Sequence, residues 1–184
     1  MSRHCEGNTP LIKDRDNIRK VLLMGNPNVG KSVIFSRLTG FDVVASNYTG
    51  TTVSYNEGVI RYQGEKAILT DVPGVYGLDA TSKAEEVAID MLNEGADLIV
   101  CVLDSTHLER NLNLALALKE YNIPIVFALN LSDVAFRRGI EIDIEALSEA
   151  LKAPVIETVA VKKIGMDLLK SEIFTEQMIE PMTI

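Results

Sequence analysis

Cysteine is scarce: the chain has two, Cys5 in a polar N-terminal stretch and Cys101 inside an apolar run. That count excludes a disulfide framework and a four-ligand zinc site, and it suits a reducing cytoplasm. Histidine is equally rare. His4 lies beside Cys5 and His107 is the only other one, so the pair reads as part of a solvated tail rather than the start of a metal site. Long hydrophobic runs are missing as well. The longest, Leu98 to Leu103, falls far short of the ~18 residues that suggest a membrane span. The polar start (Ser2, Arg3, His4, Glu6) holds no secretory hydrophobic region, so the chain as given reads as soluble. Basic residues are in deficit, 18 Lys plus Arg against 26 Asp plus Glu for a net charge of −8, which disfavours extended nucleic-acid binding. Tandem repeats and low-complexity tracts are absent.

What is present is ordinary for a folded protein: 184 residues, 47% hydrophobic and 24% charged, enough for one domain with little left over. Residues 1–17 are polar and aperiodic, with Gly7, Asn8 and Pro10 as breakers, and read as a flexible arm; the domain is expected over 18–172 and a helix end or tail over 173–184. From Lys20 onward, short apolar runs alternate with longer amphipathic segments, the pattern of strands and helices around a mostly parallel sheet. Strands are expected at Val21 to Met24, Val53 to Tyr62, Lys66 to Thr70, Leu98 to Leu103 and Ile125 to Leu129, with a last one beginning at Val155. A hairpin should turn at Gln63-Gly64, and a loop should fill Asp42 to Thr52. Helices are expected at Lys31 to Leu38, Lys83 to Asn93, Glu109 to Tyr121, Asp143 to Lys152 and Met166 to Met178. Cys101 and the leucines of the Asn111 to Leu118 segment belong in the core by their ordinary burial preference.

Directly after the first strand stands Gly25-Asn26-Pro27-Asn28-Val29-Gly30-Lys31-Ser32, a full match to G-x-x-x-x-G-K-[ST] in the strand-to-helix setting the motif needs. Glycines let the backbone wrap a phosphate, successive N–H groups and the helix start supply positive potential, Lys31 reaches the outer phosphates, and the Ser32 hydroxyl can hold Mg2+. Asp71-Val72-Pro73-Gly74 closes a strand and puts a carboxylate where a metal shell would lie, with the Gly74 N–H open to a terminal phosphate. Alone, D-x-x-G more often marks a turn. Gly50-Thr51-Thr52 lies in the expected loop, where a γ-phosphate and its metal can order a threonine; in isolation Thr52 is an ordinary strand starter. Asn130-Leu131-Ser132-Asp133 follows a strand, and its carboxylate can accept two hydrogen bonds from guanine. A helix-capping role suits the same residue types.

In this order the motifs resemble the translation-factor-like class of small GTPases, the TrmE-Era-like group, and in detail they are similar to the GTPase domain of the ferrous iron transport protein B family. The similarity spans about Lys20 to Lys170, and its most family-specific points are Asp71-Val72-Pro73-Gly74-Val75-Tyr76 and Leu108-Glu109-Arg110-Asn111-Leu112. The resemblance implies that the loop from Gly25 through Asn26, Pro27, Asn28, Val29, Gly30, Lys31 and Ser32 to Val33 holds the phosphates. It further implies that Ser32 and Thr52 ligate Mg2+ with Asp71 in its water shell, and that Gly74 meets the γ-phosphate with Gly50 and Thr51 alongside. Asn130 and Asp133 would read the base, and the backbone N–H groups of Ala160 and Val161 would meet the guanine oxygen. Asn28, Lys31, Thr52 and Gly74 are the implied catalytic residues, with Asn28 placing a K+ ion. Val75 stands where many GTPases keep a water-orienting glutamine, which implies slow hydrolysis. Three departures from the common pattern are Val33 for a hydroxyl residue, Leu131 for the lysine of N-K-x-D, and Val159 for the serine of S-A-K.

The expected architecture is therefore an α/β, Ras-like P-loop GTPase with a mostly parallel, doubly wound sheet flanked by helices. By resemblance, its function is GTP and GDP binding with Mg2+, slow hydrolysis stimulated by K+, and switching of ferrous iron transport. The implied partner is a membrane iron-transport domain, in the same full-length protein or in trans, which places the domain in the cytoplasm or at the cytoplasmic face of the membrane. The chain is expected to stop before the family's helical spacer and membrane part. Two rivals stand beside this reading: an RNA- or ribosome-associated GTPase, and a nucleotide-binding interaction module with negligible hydrolysis.

Overall fold

The computed structural model describes residues 18–40 and 43–175; the N-terminal arm with His4 and Cys5, positions 41–42 and everything past 175 lie outside the described residues. Chain order runs β1 (Arg19–Gly25), α1 (Lys31–Thr39), β2 (Val43–Asn47), β3 (Ser54–Tyr62), β4 (Glu65–Asp71), α2 (Lys83–Asn93), β5 (Leu98–Asp104), α3 (Leu108–Lys119), β6 (Ile125–Asn130), α4 (Ser132–Arg137), α5 (Ile144–Leu151), β7 (Val155–Glu157), a 3-10 turn at Ala160–Lys162, and α6 (Met166–Phe174). The seven strands form one sheet in the order β2-β3-β4-β1-β5-β6-β7. Pairing is parallel from β4 across to β7 and antiparallel at β2–β3 and β3–β4.

The continuous apolar strands are covered on both faces. Along β5, Ile99, Cys101 and Leu103 point into a core with α2, α3 and Leu151 of α5, while Leu98, Val100 and Val102 point into a second core with α1 and α6. This follows from the two-residue period of a strand, which sends alternate side chains to opposite faces. Two helices carry side-chain caps: Ser82 accepts from Glu85 N–H before α2 and Asp143 from Ala146 N–H before α5. The β3–β4 hairpin turns at Gln63 and Gly64, both at positive φ (48° and 90°), the turn hand that matches strand twist.

Four features differ from the sequence reading. Leu114 and Leu118 of α3 are buried as expected, but Leu116 points outward and is exposed, because the helical period turns it away from the sheet. Val43–Asn47, expected as loop, is the edge strand β2; its residues alternate exposed and half-buried, so its apolar signal is weak and pairing with β3 decides its form. The six-residue α4 and the 3-10 turn were not anticipated because neither is long enough to show a period. α6 stops at Phe174 rather than 178, where Thr175 turns extended and its hydroxyl donates to the Ser171 carbonyl at 2.9 Å.

Candidate functional site

The first strand ends at Gly25 in register with Val102 of β5, so the phosphate loop leaves the C-terminal edge of the sheet between β4 and β5. Its backbone takes positive φ at Asn28 (68°) and Gly30 (86°), and α1 begins at Lys31 without a side-chain cap. Uncapped first-turn N–H groups beside such a curled backbone form an anion-binding concavity. The conformation also gives Asn28 a reason of its own, since asparagine tolerates left-handed backbone better than most residues.

Two other loops lie directly on this one. A Cβ at Gly74 would stand 3.3 Å from the Cα and N of Pro27, so the Asp71–Gly74 turn rests closely on the phosphate loop and a side chain there would push the two apart by a few tenths of an ångström. A Cβ at Gly30 would fall 2.4 Å from the side-chain nitrogen of Asn130. Val75 N–H donates to the Gly25 carbonyl at 3.3 Å, and the Val75 side chain is buried in the α2–α3 core.

Lys31 and Asp71 meet in the cleft between these loops. The ammonium of Lys31 is paired with the Asp71 carboxylate and donates to the Val72 carbonyl at 2.7 Å. Both side chains are about nine-tenths buried. Asn26 is buried too, and neither its side-chain nitrogen nor its oxygen has a hydrogen-bond partner among the described residues. A buried amide left open at both ends is a group that a further polar partner would satisfy.

At the end of β6, Asn130 is buried and ties three segments together. Its Nδ2 donates to the Val29 carbonyl at 3.0 Å, and its Oδ1 accepts from Thr158 Oγ1 and Ala160 N–H, each at 3.2 Å. The Ala160 N–H expected to meet guanine is thus engaged by Asn130. Asp133, at the start of α4, is partly exposed; its Oδ2 accepts from Lys162 Nζ at 2.9 Å and lies 3.6 Å from Arg137. The Lys162 hydrogen bond holds the Asp133 carboxyl below the usual range, so it is ionised at neutral pH. Leu131 separates the two residues at φ 64°, a left-handed position that turns the chain from β6 into α4. Thr158 and Lys162 escaped the sequence reading: a threonine and a lysine in a loop carry no local sign of a partner some thirty positions away.

The threonine loop is the turn between β2 and β3. Tyr48 N–H donates to the Val53 carbonyl at 2.9 Å, and Thr51 N–H donates to the Tyr48 carbonyl at 3.0 Å. Thr52 is exposed on this turn, and the structure does not hydrogen-bond it to the phosphate loop. Ser32 is likewise exposed at the start of α1. Among the described residues no group of three or more His, Cys, Asp and Glu could hold a metal ion, and no helix is long and apolar enough to cross a membrane.

Comparison with known proteins bears on the family and the fold. A sequence model of the family described as ferrous iron transport protein B matches residues 19–173. The chain is 41% identical over 153 residues to the Fe(2+) transporter FeoB of Escherichia coli (strain K12), covering 80% of this chain but 20% of that protein's length. It is similar to the FeoB G-domain from Methanococcus jannaschii, with 44% identity, a TM-score of 0.73, and coverage of 83% of this chain and 93% of that one. It is also similar to the cytosolic domain of the T. maritima FeoB iron transporter in its GMPPNP form, with 39% identity, a TM-score of 0.82, and coverage of 85% and 62%. Phosphate loop, Ras-like sheet order and family match converge on one assignment: the chain belongs to the ferrous iron transport protein B family and has the fold of its G-domain.

Proposed function

We propose that the chain binds GTP and GDP with Mg2+, hydrolyses GTP slowly, and acts as a switch for ferrous iron transport by a membrane domain. The observation that carries the reading is the seating of two loops on the phosphate loop, Gly74 against Pro27 and Asn130 against Gly30. That arrangement brings the Asp71–Gly74 turn and the Asn130 segment, which leads into Asp133, against the phosphate loop. The donor set fits a magnesium nucleotide. With no cluster of three or more His, Cys, Asp and Glu among the described residues, a metal would rest on Ser32 and Thr52 hydroxyls, with Asp71 in its water shell and phosphate oxygens completing it, as Mg2+ prefers. When bound, Mg2+ neutralises charge building on the β- and γ-phosphate oxygens.

The chain's own residues supply the rest. Lys31, now paired with Asp71, offers its ammonium to the outer phosphates, and the Gly74 N–H orients the γ-phosphate. Asp133 accepts the two guanine donors that adenine lacks, while Asn130 holds the base loop through Ala160 and keeps one Nδ2 proton for the base, and the Val161 N–H meets the guanine oxygen. Burial of Val75 leaves no side chain at that position to orient water, which supports slow hydrolysis. Asn28 is the residue proposed to place K+, a cation that adds charge beside the phosphates.

Single-turnover GTP hydrolysis in matched K+ and Na+ buffers tests this, with nucleotide occupancy checked in each sample. The informative variant is Asn28→Gly, which keeps the left-handed backbone and removes the amide. Faster cleavage in K+ that vanishes in Asn28→Gly is expected. Equal, near-background rates at full occupancy would sink the hydrolysis reading and leave a binding module.

A further inference from the structure

We propose that Tyr48 is a positioning residue for Thr52, acting through a hydrogen bond from its hydroxyl to Glu94. This rests on the reading of Thr52 as the residue that meets Mg2+ and the γ-phosphate.

The Tyr48 hydroxyl donates to Glu94 Oε1 at 2.7 Å, across 46 positions of sequence. Its ring packs with Val53 and Tyr55 against the core beneath α2 and α3. The same residue closes the threonine turn: its N–H donates to Val53 O at 2.9 Å, its carbonyl accepts from Thr51 N–H and Thr51 Oγ1, and Thr51 Oγ1 in turn accepts from Val53 N–H at 3.1 Å. Thr52 is therefore carried between two neighbours that are both tied back to Tyr48. Strand register aims the turn at the site. Asn47 pairs with Ser54 and Asn56 with Asp71, so the turn projects past Asp71 from the same edge of the sheet.

Glu94 is an unfavourable residue for its own helix. It caps the C-terminus of α2, with Asp90 one turn before it, and a carboxylate there opposes the helix dipole. The bond from Tyr48 gives that carboxylate a partner. The contact fastens the threonine turn to the C-terminal end of α2, a helix packed in the core, so that loss of the bond leaves the turn held by its own backbone hydrogen bonds alone. In agreement, the Glu94 carboxylate helps push the Tyr48 hydroxyl up to about 12, so it stays a donor at any physiological pH.

The test is calorimetric titration of GMPPNP and GDP into the wild type, Tyr48→Phe, Glu94→Ala, Glu94→Gln, the Tyr48→Phe/Glu94→Ala double variant and Thr52→Ala, with thermal melts as the folding control. Loss of the hydroxyl or the carboxylate should weaken GMPPNP binding by about fivefold and leave GDP within about twofold, since GDP has no γ-phosphate for Thr52 to meet. The double variant should be no worse than either single one, and Glu94→Gln, which keeps an acceptor oxygen, should recover most of the loss. An unchanged GMPPNP-to-GDP ratio in Tyr48→Phe and Glu94→Ala, with a lowered ratio in Thr52→Ala, overturns the positioning role and leaves the Thr52 reading standing. An unchanged ratio in Thr52→Ala overturns both. Lower melting temperatures with an unchanged ratio mark the bond as structural only.

Discussion

Replacing Asn130 by alanine should destabilise the domain before it touches base recognition. The amide makes three hydrogen bonds, to Val29 O, Thr158 Oγ1 and Ala160 N–H, from a site only 2% exposed. At roughly 1 kcal/mol net for each bond, removal costs about 3 kcal/mol, with more where a buried partner such as Thr158 is left unsatisfied. For a domain of this size, ~2–4 °C of melting temperature accompanies each kcal/mol, so Asn130→Ala should melt about 6–12 °C below the wild type in nucleotide-free buffer. Asp133→Ala is the contrast. Its partners Lys162 and Arg137 are more than half exposed, and surface ion pairs contribute little, so its melt should shift by less than about 2 °C. Its guanine nucleotide affinity, however, should fall by about a hundredfold, as befits the loss of two hydrogen bonds to a charged acceptor. Circular dichroism melts and GDP titrations on the two variants separate these effects. An Asn130→Ala melt within about 2 °C of the wild type would refute the bracing role of Asn130.

Two further outcomes follow from the placement of ionisable groups. Tyr48 titrates with its folded value raised from the usual 10.0 to about 12, chiefly by its hydrogen bond to Glu94; the folded state thus binds the proton more tightly, and stability from this contact is complete below pH 10 and is lost as pH rises toward 12. Absorbance titration of the tyrosinates should show a late component that disappears in Tyr48→Phe; a titration without it contradicts the contact. Cys101 is fully buried, and desolvation pushes its thiol up to about 12. In a Cys5→Ser chain, a thiol reagent should therefore react only as fast as the domain unfolds, and immediate reaction in the native state would contradict the packing of β5.

The residues that are legible in the sequence act through their neighbours in the chain. A strand, a glycine-rich turn and a helix start follow one another from Arg19 to Thr39, so the phosphate cradle is written in one continuous segment, and the alternating apolar runs mark a parallel sheet buried on both sides. Asp71 and Gly74 are legible for the same reason. Edge strand β2 is not, because its form depends on pairing with β3 rather than on its own composition. Nor does the sequence show the contacts that brace the loops: Asn130 reaches Val29 across 101 positions, and Asp133 meets Lys162 across 29.

By itself, then, the sequence determined the phosphate loop and the class of fold. Tertiary structure alone decided which loops rest on that cradle, that Lys31 and Asp71 share a cleft, and that Tyr48 is bound to Glu94. The division is physical. Backbone curvature and burial period are set by consecutive residues, whereas a hydrogen bond between distant ones leaves no pattern until the sheet brings them together.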